Sequence, residues 1–243
     1  MEMIEFKEVY KSFDEKHVLC GINLVVDQGE LVSIVGPSGC GKSVTLKHII
    51  GILKADAGEV WVDGKNVGEM GRNQLQELRK HFGVLFQSAA LFDSMTVKEN
   101  VAFSLRMHRK MREEDIDSRV AECLEMVELT GSETLEPDEL SGGMRKRVGL
   151  ARAIAMKPDY ILYDEPTTGL DPKTALVIGD LITRLQKQLS ITSVVVTHDV
   201  KLALEISDRI ALFHEGKVAA EGTPEEVSRG DGVLIKKFME GQF

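Results

Sequence analysis

The chain has 243 residues, of which 43% are hydrophobic and 28% charged, an ordinary globular balance with ample core for one large domain or two small ones. A formal net charge of -9 at pH 7 argues against a general nucleic-acid binder, because phosphate backbones select basic surfaces. Cys20, Cys40 and Cys123 are too few and too widely spaced for a disulfide framework or a zinc site, and they fit a reducing cytoplasm.

Met1 to Lys7 lacks the basic and apolar regions of a signal peptide. No stretch reaches about 18 uninterrupted apolar residues, so any membrane role runs through partners. Ile4 to Tyr10 alternates apolar and polar residues, the pattern of a half-exposed strand, and Ile22 to Val26 reads as a second strand. Leu31 to Val35 is a compact apolar run that ends at Gly36. It feeds Gly36-Pro37-Ser38-Gly39-Cys40-Gly41-Lys42-Ser43, which fits the phosphate-loop pattern G-x-x-x-x-G-K-[ST], and a helix is expected over Lys42 to Leu53. The glycines let backbone N–H groups turn inward around phosphate oxygens, and the helix N-terminus adds its positive end. Lys42 then reaches the β- and γ-phosphates and Ser43 ligates Mg²⁺. Cys40 reads as a tolerated small residue of the loop.

Glu59 to Asp63 and Gly83 to Gln87 read as further strands. Gln87 closes the second of these and is a candidate to sense Mg²⁺ or an attacking water. Ser88 to Asp159 is mostly helical in pattern, and Ile116, Val120, Leu124 and Val127 recur at helical spacing as a packing stripe. This block reads as a helical subdomain inserted into an α/β core. Within it, Leu140 precedes a second glycine-rich turn, Ser141-Gly142-Gly143-Met144. Ser141 caps a helix expected to begin near Met144, so that its hydroxyl and the following amides face an anion. Arg145, Lys146 and Arg147 then sit where the helix dipole disfavours cations. Either a nearby anion or acidic partner offsets that cost, or the three form a solvated basic face.

The core resumes with Tyr160 to Tyr163 and Ser193 to Val196, apolar runs of the buried parallel kind, with a helix over Pro172 to Leu189 between them. Strand, helix, strand implies a right-handed crossover. Asp164 and Glu165 end the first strand: Asp164 suits an Mg²⁺ partner through water, and Glu165 is placed to polarise the attacking water. His198 ends the second strand, where it is expected to contact the γ-phosphate and hold that water in line. Ile210 to Phe213 and Lys217 to Ala220 read as a late hairpin, followed by two short helices.

Taken in order, the phosphate loop, Gln87, Leu140-Ser141-Gly142-Gly143, Tyr160 to Glu165, Gly169-Leu170-Asp171 and His198 make the chain resemble an ATP-binding-cassette (ABC) ATPase along essentially its full length. The resemblance implies an α/β P-loop NTPase fold: a RecA-like core with a mixed sheet, an antiparallel β subdomain and an inserted α-helical subdomain. It divides the chain into residues 1–87 and 160–243 as the nucleotide-binding core and 88–159 as the helical part. Phe13, in Lys11-Ser12-Phe13-Asp14, matches the aromatic that stacks on adenine. Further implied are ATP and Mg²⁺ as ligands and a head-to-tail homodimer. One subunit's phosphate loop and its neighbour's Ser141-Gly142-Gly143 sandwich each ATP, with Asp171 in the loop that crosses the interface. Two transmembrane permease subunits would be driven by dimer closure, with Ser88 to about Met107 as their docking region. Soluble members that act on ribosomes or DNA carry paired cassettes or long heptad insertions, and neither is present here.

A narrower likeness lies in Met144, where most ABC proteins have Gln. Leu140 to Val148, Gly41 to Lys47 and Phe86 to Phe92 are similar to the ATPases of Mla-type phospholipid transporters, and Phe238-Met239-Glu240-Gly241 is similar to the start of that group's tail. That likeness implies a lipid-binding protein of the MCE (mammalian cell entry) class as partner and a small regulatory subunit. It also implies a peripheral location on the cytoplasmic face of the inner membrane. Val44 departs from the commoner Thr, whose hydroxyl assists at the α-phosphate. Its backbone N–H remains, so the expected change in binding is modest.

Overall fold

The computed structural model describes residues 2–108 and 111–229. The first strands are β1 (Glu2–Phe13), β2 (Lys16–Asp27) and β3 (Leu31–Val35), and β3 leads into helix α1 (Lys42–Ile49). Next come β4 (Ala57–Val62), β5 (Lys65–Asn66), α2 (Arg72–Arg79) and β6 (Phe82–Leu85). Three helices, α3 (Val97–His108), α4 (Glu113–Met126) and α5 (Gly142–Ile154), precede β7 (Tyr160–Asp164) and α6 (Pro172–Leu189). Last are β8 (Thr192–Thr197), α7 (Val200–Ile206), β9 (Arg209–His214), β10 (Lys217–Gly222) and α8 (Pro224–Arg229). They fall into two compact units, residues 1–79 with 192–243, and residues 80–191.

The first unit holds two sheets. One is antiparallel, in the order β2-β1-β4-β5. The other is mixed: β10 pairs antiparallel with β9, while β9, β3 and β8 run parallel with β3 between its two neighbours. All five residues of β3 and all six of β8 are buried, which is why both read as continuous apolar or small-residue runs instead of alternating ones. β2 starts at Lys16, well before the expected Ile22. The reason is a hairpin turn in which Asp14 takes a left-handed φ of 51°, followed by register shifts that break strict alternation. Helix α1 ends at Ile49, not Leu53. Gly51 follows with φ 62°, and Ile52 N–H bonds back to the Lys47 carbonyl at 2.8 Å, a left-handed glycine stop. A Cβ at Gly51 would also lie 2.4 Å from Leu75 Cδ2 of α2.

In the second unit β6 and β7 pair in parallel, Phe82 opposite Tyr160 through Leu85 opposite Tyr163. The Phe82 and Tyr160 rings stack at 4.6 Å. The stripe Ile116, Val120, Leu124 and Val127 is buried as expected. Helix α4 also buries Arg119, which donates to the Ile154 carbonyl at 2.6 Å and the Ala155 carbonyl at 3.0 Å. A guanidinium thus donates to the last carbonyls of α5, where the helix dipole favours a cation.

The late hairpin and the helix over Pro172–Leu189 appear as read from the sequence. α8 is the first of the two expected C-terminal helices; the second, and Phe238 to Gly241, lie outside the described residues. No helix among the described residues is long and apolar enough to cross a membrane.

Candidate functional site

In the first unit the candidate residues gather at the carboxyl ends of β8, β3 and β9. Val35 lies opposite Thr197 on one side and Leu212 on the other. The next residues in each strand direction are therefore Gly36, His198 and Phe213. Gly36 is fixed as glycine by contact: an added Cβ would lie 2.3 Å from the Phe213 carbonyl oxygen and 2.9 Å from Cys40 Sγ. Cys40 is itself buried against that glycine, a packing role. Gly39 and Gly41 take φ of 82° and 104°, conformations that L side chains resist. At Gly41 a Cβ would also meet Leu19 Cδ2 at 2.6 Å.

The loop that results wraps its own lysine. Lys42 Nζ donates to the Gly36 carbonyl at 2.7 Å and the Pro37 carbonyl at 3.1 Å, and the side chain is buried. Thr45 holds the start of α1 by donating from both N–H (2.9 Å) and hydroxyl (3.1 Å) to the Gly41 carbonyl. Ser38 and Gly39 are exposed, and Pro37, Ser43 and Val44 are half-buried. His198 is exposed at its strand end, between Thr197 and Asp199, and Asp199 caps α7 by accepting from Leu202 N–H at 3.1 Å. Phe13 lies at the β1–β2 turn, opposite Lys16, whose Nζ lies 3.8 Å from the Cβ position of Gly39. Its ring is 42% exposed, with Lys11 Nζ 5.5 Å from the ring centre. A partly exposed aromatic ring at this turn suits stacking on a planar base.

In the second unit, Asp164 ends β7 and Glu165 follows with φ 51°. From the pairing of Leu85 with Tyr163, Gln87 and Glu165 both stand two residues beyond a matched pair. Lys146 joins them: its Nζ donates to the Gln87 carbonyl at 2.6 Å and the Glu165 carbonyl at 3.1 Å. Burial pushes this ammonium down to about 8, against the pull of the Glu165 and Asp164 carboxylates. The Glu165 carboxylate accepts from Thr168 Oγ1 at 3.1 Å. Beyond Gln87 the backbone turns through Ala89 and Ala90, with φ of 61° and 46°. Arg152 holds that turn by donating to both their carbonyls at 2.7 Å.

The second glycine-rich turn is an N-cap. Helix α5 begins at Gly142, and Ser141 Oγ accepts from Met144 N–H at 3.2 Å. The glycines are set by their neighbours: a Cβ at Gly143 would lie 2.6 Å from Thr174 Cγ2, and one at Gly142 3.2 Å from Leu170 Cδ2. Gly169-Leu170-Asp171 therefore packs beside the turn. Asp171 caps α6, accepting from the N–H groups of Lys173 and Thr174 at 3.1 Å and from Thr174 Oγ1 at 2.5 Å. Those bonds, the Thr174 hydroxyl first, hold its carboxyl below the usual range.

In the basic run after the turn, the expected acidic partner is present for Arg147 as Glu128, and main-chain carbonyls are the further acceptors. Arg145 donates to the Leu140 carbonyl at 2.5 Å, and Arg147 to the Val127 carbonyl at 3.1 Å and Glu128 at 3.0 Å. Main-chain carbonyls of neighbouring segments supply most of the negative ends that offset the dipole. Sequence reading missed Lys146 and Arg152 as structural ties. No sequence signal marked them, because their acceptors are main-chain carbonyls distant in the chain.

A model of the family described as ABC transporter matches residues 19–168. The chain is 42% identical over 240 residues, 99% of its length and 91% of the relative's, to the intermembrane phospholipid transport system ATP-binding protein MlaF of Haemophilus influenzae. It is 40% identical over 239 residues to a probable ribonucleotide transport ATP-binding protein of Mycobacterium leprae, covering 98% of this chain and 69% of the relative. Among solved structures, a dimeric post-hydrolysis state of an ATP-binding cassette bound to ADP and Pi is 36% identical. Its TM-score is 0.83, and the match covers 91% of this chain and 99% of that one.

Proposed function

The chain belongs to the ABC transporter family, and from that premise we propose that it is the ATP-hydrolysing subunit that drives a phospholipid transporter. The observation that carries the cargo class is the near end-to-end match to a relative named for phospholipid transport. Met144 in the second glycine-rich turn, the family's signature turn, supports the same reading. A second reading, an ABC transporter with another cargo, rests on the relative named for ribonucleotide transport, which is nearly as similar.

The proposed roles follow the geometry within each unit. Gly36, Pro37, Ser38, Gly39, Cys40, Gly41, Lys42, Ser43 and Val44 hold the phosphates of ATP, and Phe13 stacks on the base. Lys42 already lies within the loop and donates to two of its carbonyls, so phosphate oxygens would take over as its acceptors. Glu165 acts as general base, with Thr168 orienting its carboxylate. His198 and Gln87 position the attacking water. Mg²⁺ would take the hydroxyl of Ser43, the amide oxygen of Gln87 and, through water, Asp164. These are hard oxygen donors, and no cluster of three or more His, Cys, Asp or Glu that could hold a metal is present among the described residues. Its remaining ligands would come from nucleotide phosphates and water, as for Mg²⁺ with ATP. Bound there, it would neutralise charge on the transferred phosphoryl group.

Ser141, Gly142, Gly143 and Asp171 act on the neighbour's nucleotide in a head-to-tail homodimer. Residues 88–159 form the helical part, attached to a nucleotide-binding core of 1–87 and 160–243. The exposed Phe92 and Met107 give this part an apolar surface for the permease subunits, on the cytoplasmic face of the inner membrane. An MCE-type lipid-binding protein and a small regulatory subunit complete the assembly.

One purification tests the assembly and the base together. Glu165→Gln, which keeps shape but removes the base, should bind ATP, lose about 100-fold or more in turnover, and be recovered from detergent extract with a permease, an MCE-type protein and bound phospholipid. Full turnover in this variant removes Glu165 as base. Recovery with a permease that carries nucleotide and no lipid overturns the cargo.

A further inference from the structure

Lys146 is 4% exposed, yet it carries an ammonium group whose donors reach main-chain oxygens on two different segments. An ion buried this deeply is retained only where its hydrogen bonds offset the lost hydration. A hydrophobic residue at this position of α5 would pack without that cost, so the stability of the helix does not explain the lysine. Its two acceptors do: they are the carbonyls of Gln87 and Glu165.

We propose that Lys146 is a positioning residue for ATP hydrolysis, tying the backbone of Gln87 to that of Glu165 and both to the helix that begins at the signature turn. This rests on the reading of Gln87 and Glu165 given above. The tie belongs to a continuous contact line. Three residues after Lys146, Gly149 brings the helix so close that an added Cβ would lie 2.6 Å from Leu85 Cδ1 and 3.3 Å from Ala89 Cβ. Three residues further, Arg152 donates to the carbonyls of Ala89 and Ala90. One face of α5 therefore grips 85–90 at three successive points. The same helix is capped at its start by Ser141. A displacement of Ser141 along the helix axis is transmitted to Gln87 and to the Glu165 carbonyl by a rigid element, with Lys146 as the shared joint.

The Glu165 side chain is oriented by Thr168, and its backbone sits in a left-handed conformation with φ 51°. Such a backbone holds only where its surroundings over-determine it. Lys146 supplies one of those constraints from outside the turn. Without it the carboxylate keeps its chemistry and loses its fixed placement, which lowers the chemical step and leaves nucleotide binding to the phosphate loop.

The test compares the full-length chain with Lys146→Met, Lys146→Arg and Glu165→Gln by steady-state ATP hydrolysis and by titration with a fluorescent ATP analogue. Lys146→Met should lower kcat by about 10-fold or more, with KM and the analogue's Kd changed by less than about 2-fold. Lys146→Arg, which keeps N–H donors for both carbonyls, should restore at least half of kcat. Wild-type kcat in Lys146→Met overturns the proposal. So does a loss of ATP affinity in step with kcat that Lys146→Arg fails to rescue, the pattern of a merely structural lysine. If Lys146→Met does not fold, Lys146→Gln, with one donor group, is read by the same split. Turnover retained in Glu165→Gln indicts the underlying reading, whereas its loss beside an unaffected Lys146→Met indicts this inference alone.

Discussion

Two buried lysines show how much a residue's meaning depends on its acceptors. Lys42 and Lys146 are 7% and 4% exposed, and both donate to pairs of main-chain carbonyls. Lys42 donates within its own loop. Lys146 donates across two segments and acts as a tie. His48 is a third buried polar residue, with a different consequence. Its imidazole N–H donates to the Val44 carbonyl at 2.7 Å, and burial above all lowers its pKa below 6.5. Above that value the ring is neutral in both folded and unfolded chains. Below it the unfolded chain takes up the proton first, so stability falls as pH drops through 6.5. Denaturant unfolding between about pH 5 and 8 should show this slope, and His48→Gln should flatten it. An equal slope in the variant would remove His48 as its source. Among individual positions the phosphate loop was legible because its residue types are dictated by backbone geometry. His48 and Lys146 were not, since a buried His or Lys reads from sequence as an ordinary polar residue.

Helix α5 has its two ends fixed by different segments. Its N-terminus packs Gly143 against Thr174 and caps with Ser141, and its last carbonyls are covered by Arg119. The close approach at Gly143 makes a prediction about this element. Gly143→Ala places a methyl 2.6 Å from Thr174 Cγ2, an overpacking that should cost about 1 to 3 kcal/mol. Thr174→Ser removes the obstructing methyl and keeps the hydroxyl that bonds Asp171. The double variant should therefore recover most of the loss in thermal or denaturant unfolding. Additive losses would show that the strain lies elsewhere. Helix α4 and the strands β3, β7 and β8 were legible because their buried faces repeat at 3.6 residues or run unbroken. β2 was read short because bulges shift its register, and α1 was read long because the apolar run passes through Gly51. A glycine stop depends on φ, which hydrophobic pattern does not report.

At the scale of the whole molecule, the proposed function requires more than one copy of the chain. Each chain would supply a phosphate loop to one site and Ser141 to another, so a monomer should be a poor ATPase. Mixing Lys42→Ala chains with Ser141→Arg chains should yield heterodimers with at most one intact composite site, and turnover near half of wild type per dimer. Full activity from both sites would contradict the head-to-tail arrangement. The amino-acid sequence by itself determined the strand–loop–helix around Lys42, the acidic strand end at Asp164 and Glu165, the signature turn at Ser141 and, through their order, the family. Those features are local: each is specified by residues adjacent in the chain and by periodicity. Only the tertiary structure decided which groups the cations after the Ser141 turn donate to. The acceptors of Lys146 are carbonyls 59 and 19 residues away, and those of Arg152 are 62 and 63 residues away. Every residue carries a carbonyl, so nothing in the sequence marks which ones a folded helix brings within hydrogen-bond reach.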